Sequence, residues 1–318
     1  MIDTYSIFCL VRRNVQKSEF IWMDGKYLNW DDAKISVMTH TLHYGTGVFE
    51  GIRARETSVG TAIFRLQDHI ERLFSSAEAY NLDIPYSYDE IFDASKLIVF
   101  KNKLKDAYIR PLVFFGNGEM GLLPNAPVQV AISAWSWAPI FNEAIDKGVR
   151  VCLSPWQRIS PKSFKPYAKG VGGYMNSTLA KIDAVNRGYD DALMLSDNGN
   201  VAEGSGQNIF IVKNNEILTP PVETGALNGI TKKTVVQIAK DLDLKISEVN
   251  IMKKDLFEAD ELFFTGTATE VVGVVSVDET SISDGTPGEI TKAIRSEYMG
   301  IVLGRNKKYI NWLTRVDL

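Results

Sequence analysis

The chain has 318 residues, 45% hydrophobic and 23% charged, with a formal net charge of -4 and a pI near 5.6. That composition excludes a disordered or fibrous chain, and at about 150 residues per domain the length predicts two domains with a cleft between them. No basic stripe interleaved with aromatics is present to bind nucleic acid, and two cysteines, Cys9 and Cys152, are too few for a disulfide framework or a spaced zinc site.

The apolar run from Ile7 to Val11 is far shorter than a spanning helix, and Arg12 and Arg13 follow it rather than precede it. The expectation is a cytoplasmic protein with no membrane segment, whose residues 1–18 form an N-terminal extension. A small α+β domain is expected over 19–138. It opens with a ribbon, Phe20 to Met23 and Lys26 to Leu28, around Asp24-Gly25, a dipeptide that favours a type I′ turn. Val48 to Ala54 and Ala62 to Arg65 read as strands, after which Ile70, Leu73, Phe74, Ala77 and Tyr80 recur at helical spacing. Ser87 and Glu90 have capping-box spacing ahead of Ile91, Ala94, Leu97 and Ile98, so a second helix follows. Tyr108 to Phe115 and Val128 to Trp135 read as strands.

The pattern breaks over Pro139 to Gly148, so 139–148 is expected as an interdomain loop and 149–318 as a larger domain. The order there is a strand from Val149 to Leu153, a helix from Tyr174 to Arg187, and strands around Leu193 and Ile209. A helix from Thr231, strands around Phe263 and Val274, and a helix from Glu289 to Leu303 complete it.

Glycine-rich segments recur at predicted strand ends: His43-Tyr44-Gly45-Thr46-Gly47, Lys169-Gly170-Val171-Gly172-Gly173-Tyr174, Glu203-Gly204-Ser205-Gly206, Leu227-Asn228-Gly229-Ile230-Thr231 and Thr265-Gly266-Thr267. Glycine lets backbone N–H groups approach an anion, and Asn228-Gly229-Ile230-Thr231 opens a helix whose N-terminus suits a phosphate. None of the segments is a Walker P-loop or a Gly-x-Gly-x-x-Gly fingerprint, so a nucleotide-binding module is disfavoured.

Lys169 in Ala168-Lys169-Gly170-Val171-Gly172-Gly173-Tyr174-Met175-Asn176-Ser177, and Glu203 in Glu203-Gly204-Ser205-Gly206-Gln207-Asn208-Ile209-Phe210, resemble the two signature segments of fold-type IV pyridoxal-phosphate enzymes. Tyr44-Gly45-Thr46-Gly47-Val48-Phe49-Glu50-Gly51-Ile52-Arg53, Tyr108-Ile109-Arg110-Pro111, Asn228-Gly229-Ile230-Thr231 and Thr265-Gly266-Thr267-Ala268-Thr269-Glu270 extend the similarity, in the order seen in branched-chain aminotransferases. The resemblance implies a two-domain, D-amino acid aminotransferase-like class IV fold, mixed α/β and α+β. Its small domain is α+β and its larger domain has a strand-rich pseudo-barrel core.

The resemblance also implies a cofactor, pyridoxal 5′-phosphate, carried by Lys169, whose amine then moves the substrate's α proton. That task suits a lysine kept neutral part of the time beside a cationic ring. Glu203 is implied to pair with the pyridine nitrogen, Tyr174 to hydrogen-bond the phenolic oxygen and Arg65 to meet the phosphate. The amides of Ile230, Thr231 and Thr267 complete the phosphate cup, and Leu227, Gly229 and Gly266 complete the expected cofactor-binding set.

For the substrate, Tyr44, Phe49, Gly51, Arg53, Tyr108, Met120, Leu122, Thr267 and Ala268 are implied pocket residues, and Arg110 would meet the second carboxylate of glutamate. The loop at Met120-Gly121-Leu122 approaches the neighbouring subunit's site in this family, which implies at least a homodimer. No metal is implied. The implied reaction moves an amine from leucine, isoleucine or valine to 2-oxoglutarate by a ping-pong route. D-amino acid or (R)-amine transamination and aminodeoxychorismate lyase chemistry are the alternatives on this scaffold. A catalytically silent binding protein is the rival from another class, opposed by intact Lys169, Glu203, Tyr174 and Arg65. Two positions depart from the family: Gly173 stands where asparagine is usual, and Pro139 stands roughly where many relatives have a tyrosine.

Overall fold

A computed structural model describes residues 15–138, 140–141 and 144–317. Pro139 and residues 1–14 of the expected extension lie outside the described residues.

The ribbon of β1 (Phe20–Met23) and β2 (Lys26–Asn29) forms as expected, with φ of 46° at Asp24 and 83° at Gly25, the two positive values that a type I′ turn needs. After α1 (His40–Tyr44) come β3 (Gly47–Phe49), β4 (Ile52–Thr57) and β5 (Gly60–Phe64). Next are α2 (Leu66–Ala79), α3 (Tyr88–Lys101), β6 (Ala107–Phe115) and β7 (Val128–Trp135). Ser87 and Glu90 close the capping box at the start of α3. The single strand expected over Val48 to Ala54 is divided into β3 and β4. Both pair with β6, but the ladder breaks at Glu50 opposite Pro111, which has no N–H to donate.

The second half begins with β8 (Val149–Leu153), α4 (Tyr174–Asn186), β9 (Asp191–Leu195) and β10 (Val201–Gly204). It continues through β11 (Asn208–Lys213), β12 (Glu216–Thr219), α5 (Ile230–Asp241), β13 (Lys245–Glu248) and α6 (Lys253–Phe257). Last come β14 (Glu261–Gly266), β15 (Glu270–Val277), β16 (Thr280–Ser281), α7 (Glu289–Val302) and β17 (Leu313–Arg315).

Two sheets result. The first runs β17-β5-β4-β6-β7-β1-β2 with β3 also on β6, and the second runs β10-β9-β8-β15-β14-β11-β12-β13 with β16 on β15. The C-terminal strand β17 therefore rejoins the sheet built by the first half of the chain, pairing with β5. Ile70 and Leu73 of α2 and Ile91 and Ile98 of α3 pack on Ile52, Ile63 and Ile109 of the first sheet. On one face of the second sheet, Phe210 and Phe263 meet Val235 and Ile238 of α5 and Ile294 of α7, and the same cluster reaches Phe64 and Leu313 of the first sheet. On the other face, Ile209, Leu262 and Phe264 pack with Val149 and Val151. Among the described residues no helix is long and apolar enough to cross a membrane.

Candidate active site

Lys169 lies between β8 and α4 but is tied to the first sheet. The amide of Phe49 donates to the Lys169 carbonyl at 3.1 Å, the amide of Gly172 to the Gly45 carbonyl at 3.1 Å, and the Lys169 amide to Ser76 Oγ of α2 at 3.0 Å. So close an approach needs glycine: a Cβ on Gly45, where φ is 66°, would stand 2.8 Å from Gly172 Cα. The lysine is thereby fixed on the seam between the two sheets, its Nζ donating to the Tyr174 hydroxyl at 2.6 Å and lying 5.1 Å from the Phe49 ring centre.

Glu203, near the end of β10, is buried with both carboxylate oxygens held. Oε1 lies 2.8 Å from Arg158 Nε, and Oε2 accepts from the Leu227 amide at 3.1 Å and from Asn208 Nδ2 at 3.2 Å. Burial pushes its pKa up, against the opposing pull of Arg158, the Leu227 amide and Lys169. Asn208 also donates to the Leu227 carbonyl at 2.8 Å, and a Cβ on Gly229 would come within 2.0 Å of Asn208 Oδ1. The glycine before α5 therefore allows the helix to start against the floor of the site.

Lys169, Tyr174, Glu203, Leu227, Gly229, Ile230, Thr231, Gly266, Thr267 and Ala268 share one cleft of about 440 Å³ with Phe49, Gly51, Tyr108 and Arg110. At its α5 end the amides of Ile230 and Thr231 occupy the first turn of a 12-residue helix, where N–H groups have no intrahelical acceptor. At the other end the Arg110 guanidinium lies 4.6 Å from the Phe49 ring centre, and a Cβ on Gly51 would collide with the Tyr108 hydroxyl at 1.9 Å. The break between β3 and β4 thus clears the space in which Tyr108 and Arg110 face the cleft.

Five of the expected residues do not line this chain's own cleft: Arg65, Arg53, Tyr44, Met120 and Leu122. Arg65 does not line the cleft: its guanidinium is bonded to Asp68 and to Thr234 Oγ1, and stacks 4.6 Å from the Trp312 ring centre. The arginine of α2 that does line it is Arg72, two helical turns along. Arg53 is buried behind the wall, donating to the Trp137 carbonyl at 2.8 Å, and it is Trp137 that reaches the cleft. Tyr44, Met120 and Leu122 lie away from their own chain's cleft on an exposed surface, where His40 Nε2 joins α1 to the Gly121 carbonyl at 2.7 Å. Sequence reasoning also missed Arg158, and it quoted Asn208 without giving it a role. No spacing rule would find Arg158, but Asn208 lies inside a segment already singled out.

Gly173 has an ordinary φ of -67°, so its backbone does not require glycine. Space does: a Cβ there would stand 2.9 Å from the Phe164 ring, which lines the same cleft. Among the described residues no group of three or more His, Cys, Asp or Glu could hold a metal ion.

A half-buried amine, a buried carboxylate and an open helix start in one cleft define a class of enzyme, and sequence comparison agrees. The family described as amino-transferase class IV matches residues 47–277, and the chain belongs to it. Among similar proteins is the branched-chain-amino-acid aminotransferase of Pseudomonas aeruginosa, 46% identical over 298 residues that cover 93% of this chain and 97% of that protein. That of Escherichia coli strain K12 is 38% identical over 305 residues, covering 95% and 99%. The crystal structure of the Escherichia coli branched-chain enzyme superposes with a TM-score of 0.93 at 38% identity, over 95% of this chain and 100% of that one. The T.th. branched-chain enzyme with pyridoxamine 5′-phosphate does so with a TM-score of 0.91 at 42% identity, over 95% and 99%.

Proposed function

We propose that this chain transfers the amine of leucine, isoleucine or valine to 2-oxoglutarate, with pyridoxal 5′-phosphate held at Lys169. The observation that carries the reading is the convergence of the Lys169 amine, the Glu203 carboxylate and the open start of α5 in one cleft. The donor set fits the cofactor: an amine for its aldehyde, a carboxylate for its ring nitrogen, and the Arg72 guanidinium with the amides of Ile230, Thr231 and Thr267 for its phosphate. Thr265 Oγ1, buried in the cleft wall without a partner, is a further polar atom awaiting a ligand.

Bound there, pyridoxal phosphate supplies an electron sink for the substrate's α carbon. With the group bound, Lys169 Nζ would be the base that takes the substrate's α proton and gives it back. Tyr174 keeps that amine oriented through its 2.6 Å contact. Glu203 would keep the cofactor's ring nitrogen protonated, its carboxylate fixed by Arg158, Asn208 and the Leu227 amide. Phe49, Tyr108 and Trp137 exclude water and give an aliphatic side chain an apolar wall, while Arg110 meets the second carboxylate of 2-oxoglutarate or glutamate.

The surface carrying Tyr44, Met120, Leu122 and Leu123 supports assembly as a homodimer or larger, with these residues completing the neighbouring site. Leu122 is 90% and Leu123 87% exposed, more apolar surface than a loop on a lone subunit normally shows. The free, buried Cys152 suits a reducing cytoplasm.

The test is half-reaction spectroscopy on protein supplied with pyridoxal phosphate. L-leucine bleaches the visible band and 2-oxoglutarate restores it. If D-alanine or an (R)-amine bleaches it and L-leucine does not, the substrate assignment is overturned.

A further inference from the structure

Glu50 is fully buried at the break between β3 and β4, outside the residues assigned a role above. A carboxylate there costs several kcal/mol of desolvation in general terms unless its partners are excellent, and they are. Oε1 lies 2.6 Å from Arg72 Nε, Oε2 lies 2.9 Å from Arg72 Nη2 and 2.7 Å from His69 Nδ1, and the Gly51 amide donates to Oε2 at 3.3 Å. Burial alone would raise the Glu50 pKa, but Arg72 and His69 hold it far below the usual carboxylate range. The carboxylate takes one edge of the guanidinium. Nη1 then turns to the Asn228 carbonyl, 3.2 Å away at the threshold of α5.

We propose that Glu50 and His69 are positioning residues for Arg72. They lock its guanidinium in one orientation, so that the face left open meets a phosphate ester shared with the amides of Ile230 and Thr231. The proposal rests on the cofactor reading above. It separates two roles of opposite sign. If Glu50 only neutralised Arg72, removing its charge would leave a more positive pocket and tighten phosphate binding. If Glu50 orients Arg72, removing it loosens phosphate binding despite the gain in positive charge. Gln at this position cannot serve in its place, because one side of its amide donates and so opposes Arg72 or His69.

The experiment titrates the full-length apo chain with pyridoxamine 5′-phosphate and with pyridoxamine, followed by tryptophan fluorescence, in the wild type, Glu50→Gln and His69→Phe. The expected result is that Glu50→Gln weakens pyridoxamine 5′-phosphate by at least about tenfold, with pyridoxamine within about twofold of wild type. His69→Phe, which leaves the carboxylate in place but removes a donor, gives the same pattern with a smaller loss and decides the matter if Glu50→Gln does not fold. Equal weakening of both ligands, unchanged affinity, or tighter phosphate binding overturns the proposal. Failure of the wild type to bind either ligand defeats the cofactor reading instead.

Discussion

Arg65 and Arg72, one at the cap of α2 and the other inside it, do different work. Arg65 stands just before α2 with φ 52°, and its guanidinium joins Asp68, Thr234 of α5 and Trp312 near the C-terminus. Arg65→Ala is expected to lower stability by about 1–2 kcal/mol and to leave cofactor affinity unchanged. Arg72→Ala is expected to weaken pyridoxal phosphate by roughly 10- to 100-fold, equivalent to one charged hydrogen bond or two. Thermal melting and cofactor titration of the pair separate the roles, and the opposite pattern would return the phosphate to Arg65. For Glu203→Gln the expected loss is in kcat, by roughly 10- to 100-fold, with a smaller change in cofactor affinity, since the carboxylate acts on the ring nitrogen. Steady-state kinetics beside a cofactor titration check it.

The same buried cluster predicts a pH dependence. Burial depresses the His69 pKa below 6.5, ahead of the opposing pull of Glu50, and the Glu50 pKa is depressed below 4.5. In both cases the unfolded chain binds more protons in the window below the ordinary pKa, so stability rises with pH there. Stability contributed by His69 is lost as pH falls from 6.5 toward its folded value, and that of Glu50 is lost below 4.5. Melting curves of the apo chain should decline from about pH 6.5 downward, with His69→Phe flattening the upper limb. A flat wild-type profile between about pH 7 and 5 would contradict this.

At the level of elements, the long helices were legible because each repeats an apolar stripe over several turns, and α3 carried its capping box in plain view. The strand from Val48 to Ala54 misled because Val48, Phe49 and Ile52 read as one strand across Glu50-Gly51, where the break falls. The ladder breaks there opposite Pro111 on a neighbouring strand, a partner that lies outside the local window. Short strands such as β12 and β13, of four residues each, and the five-residue α6 have too little pattern to register. Gly173 and Phe164 form another distant pair. Gly173→Asn is expected to destabilise the start of α4 by about 1–3 kcal/mol through overpacking, and Phe164→Ala in the same chain to recover part of that loss. Melting of the two single variants and the double variant measures the coupling, and strict additivity would show that the two do not share the space.

At the scale of the molecule, most of the residues that share the cleft were readable from sequence because motifs keep their order along the chain, while the placement of each group depends on how the two sheets meet. Arg65 and Arg72 could not be told apart by composition, since only packing of α2 against the seam decides which one faces the cleft. Tyr44, Met120 and Leu122 are a different case: exposed and away from their own chain's cleft, they would serve a pocket only in the proposed homodimer. Leu122→Glu, changing a residue 90% exposed in the single chain, is expected to shift the assembly toward monomer and to lower activity together, as read by sedimentation velocity and assay. A monomeric wild type with full activity would contradict that arrangement.

The central claim is that Lys169 holds the cofactor on the seam. Borohydride reduction of the protein supplied with pyridoxal phosphate, followed by peptide mass mapping, tests it most directly. The account predicts one phosphopyridoxyl group per chain, on the peptide containing Lys169, and none there in Lys169→Ala. A label on a different lysine, or no label, would contradict it.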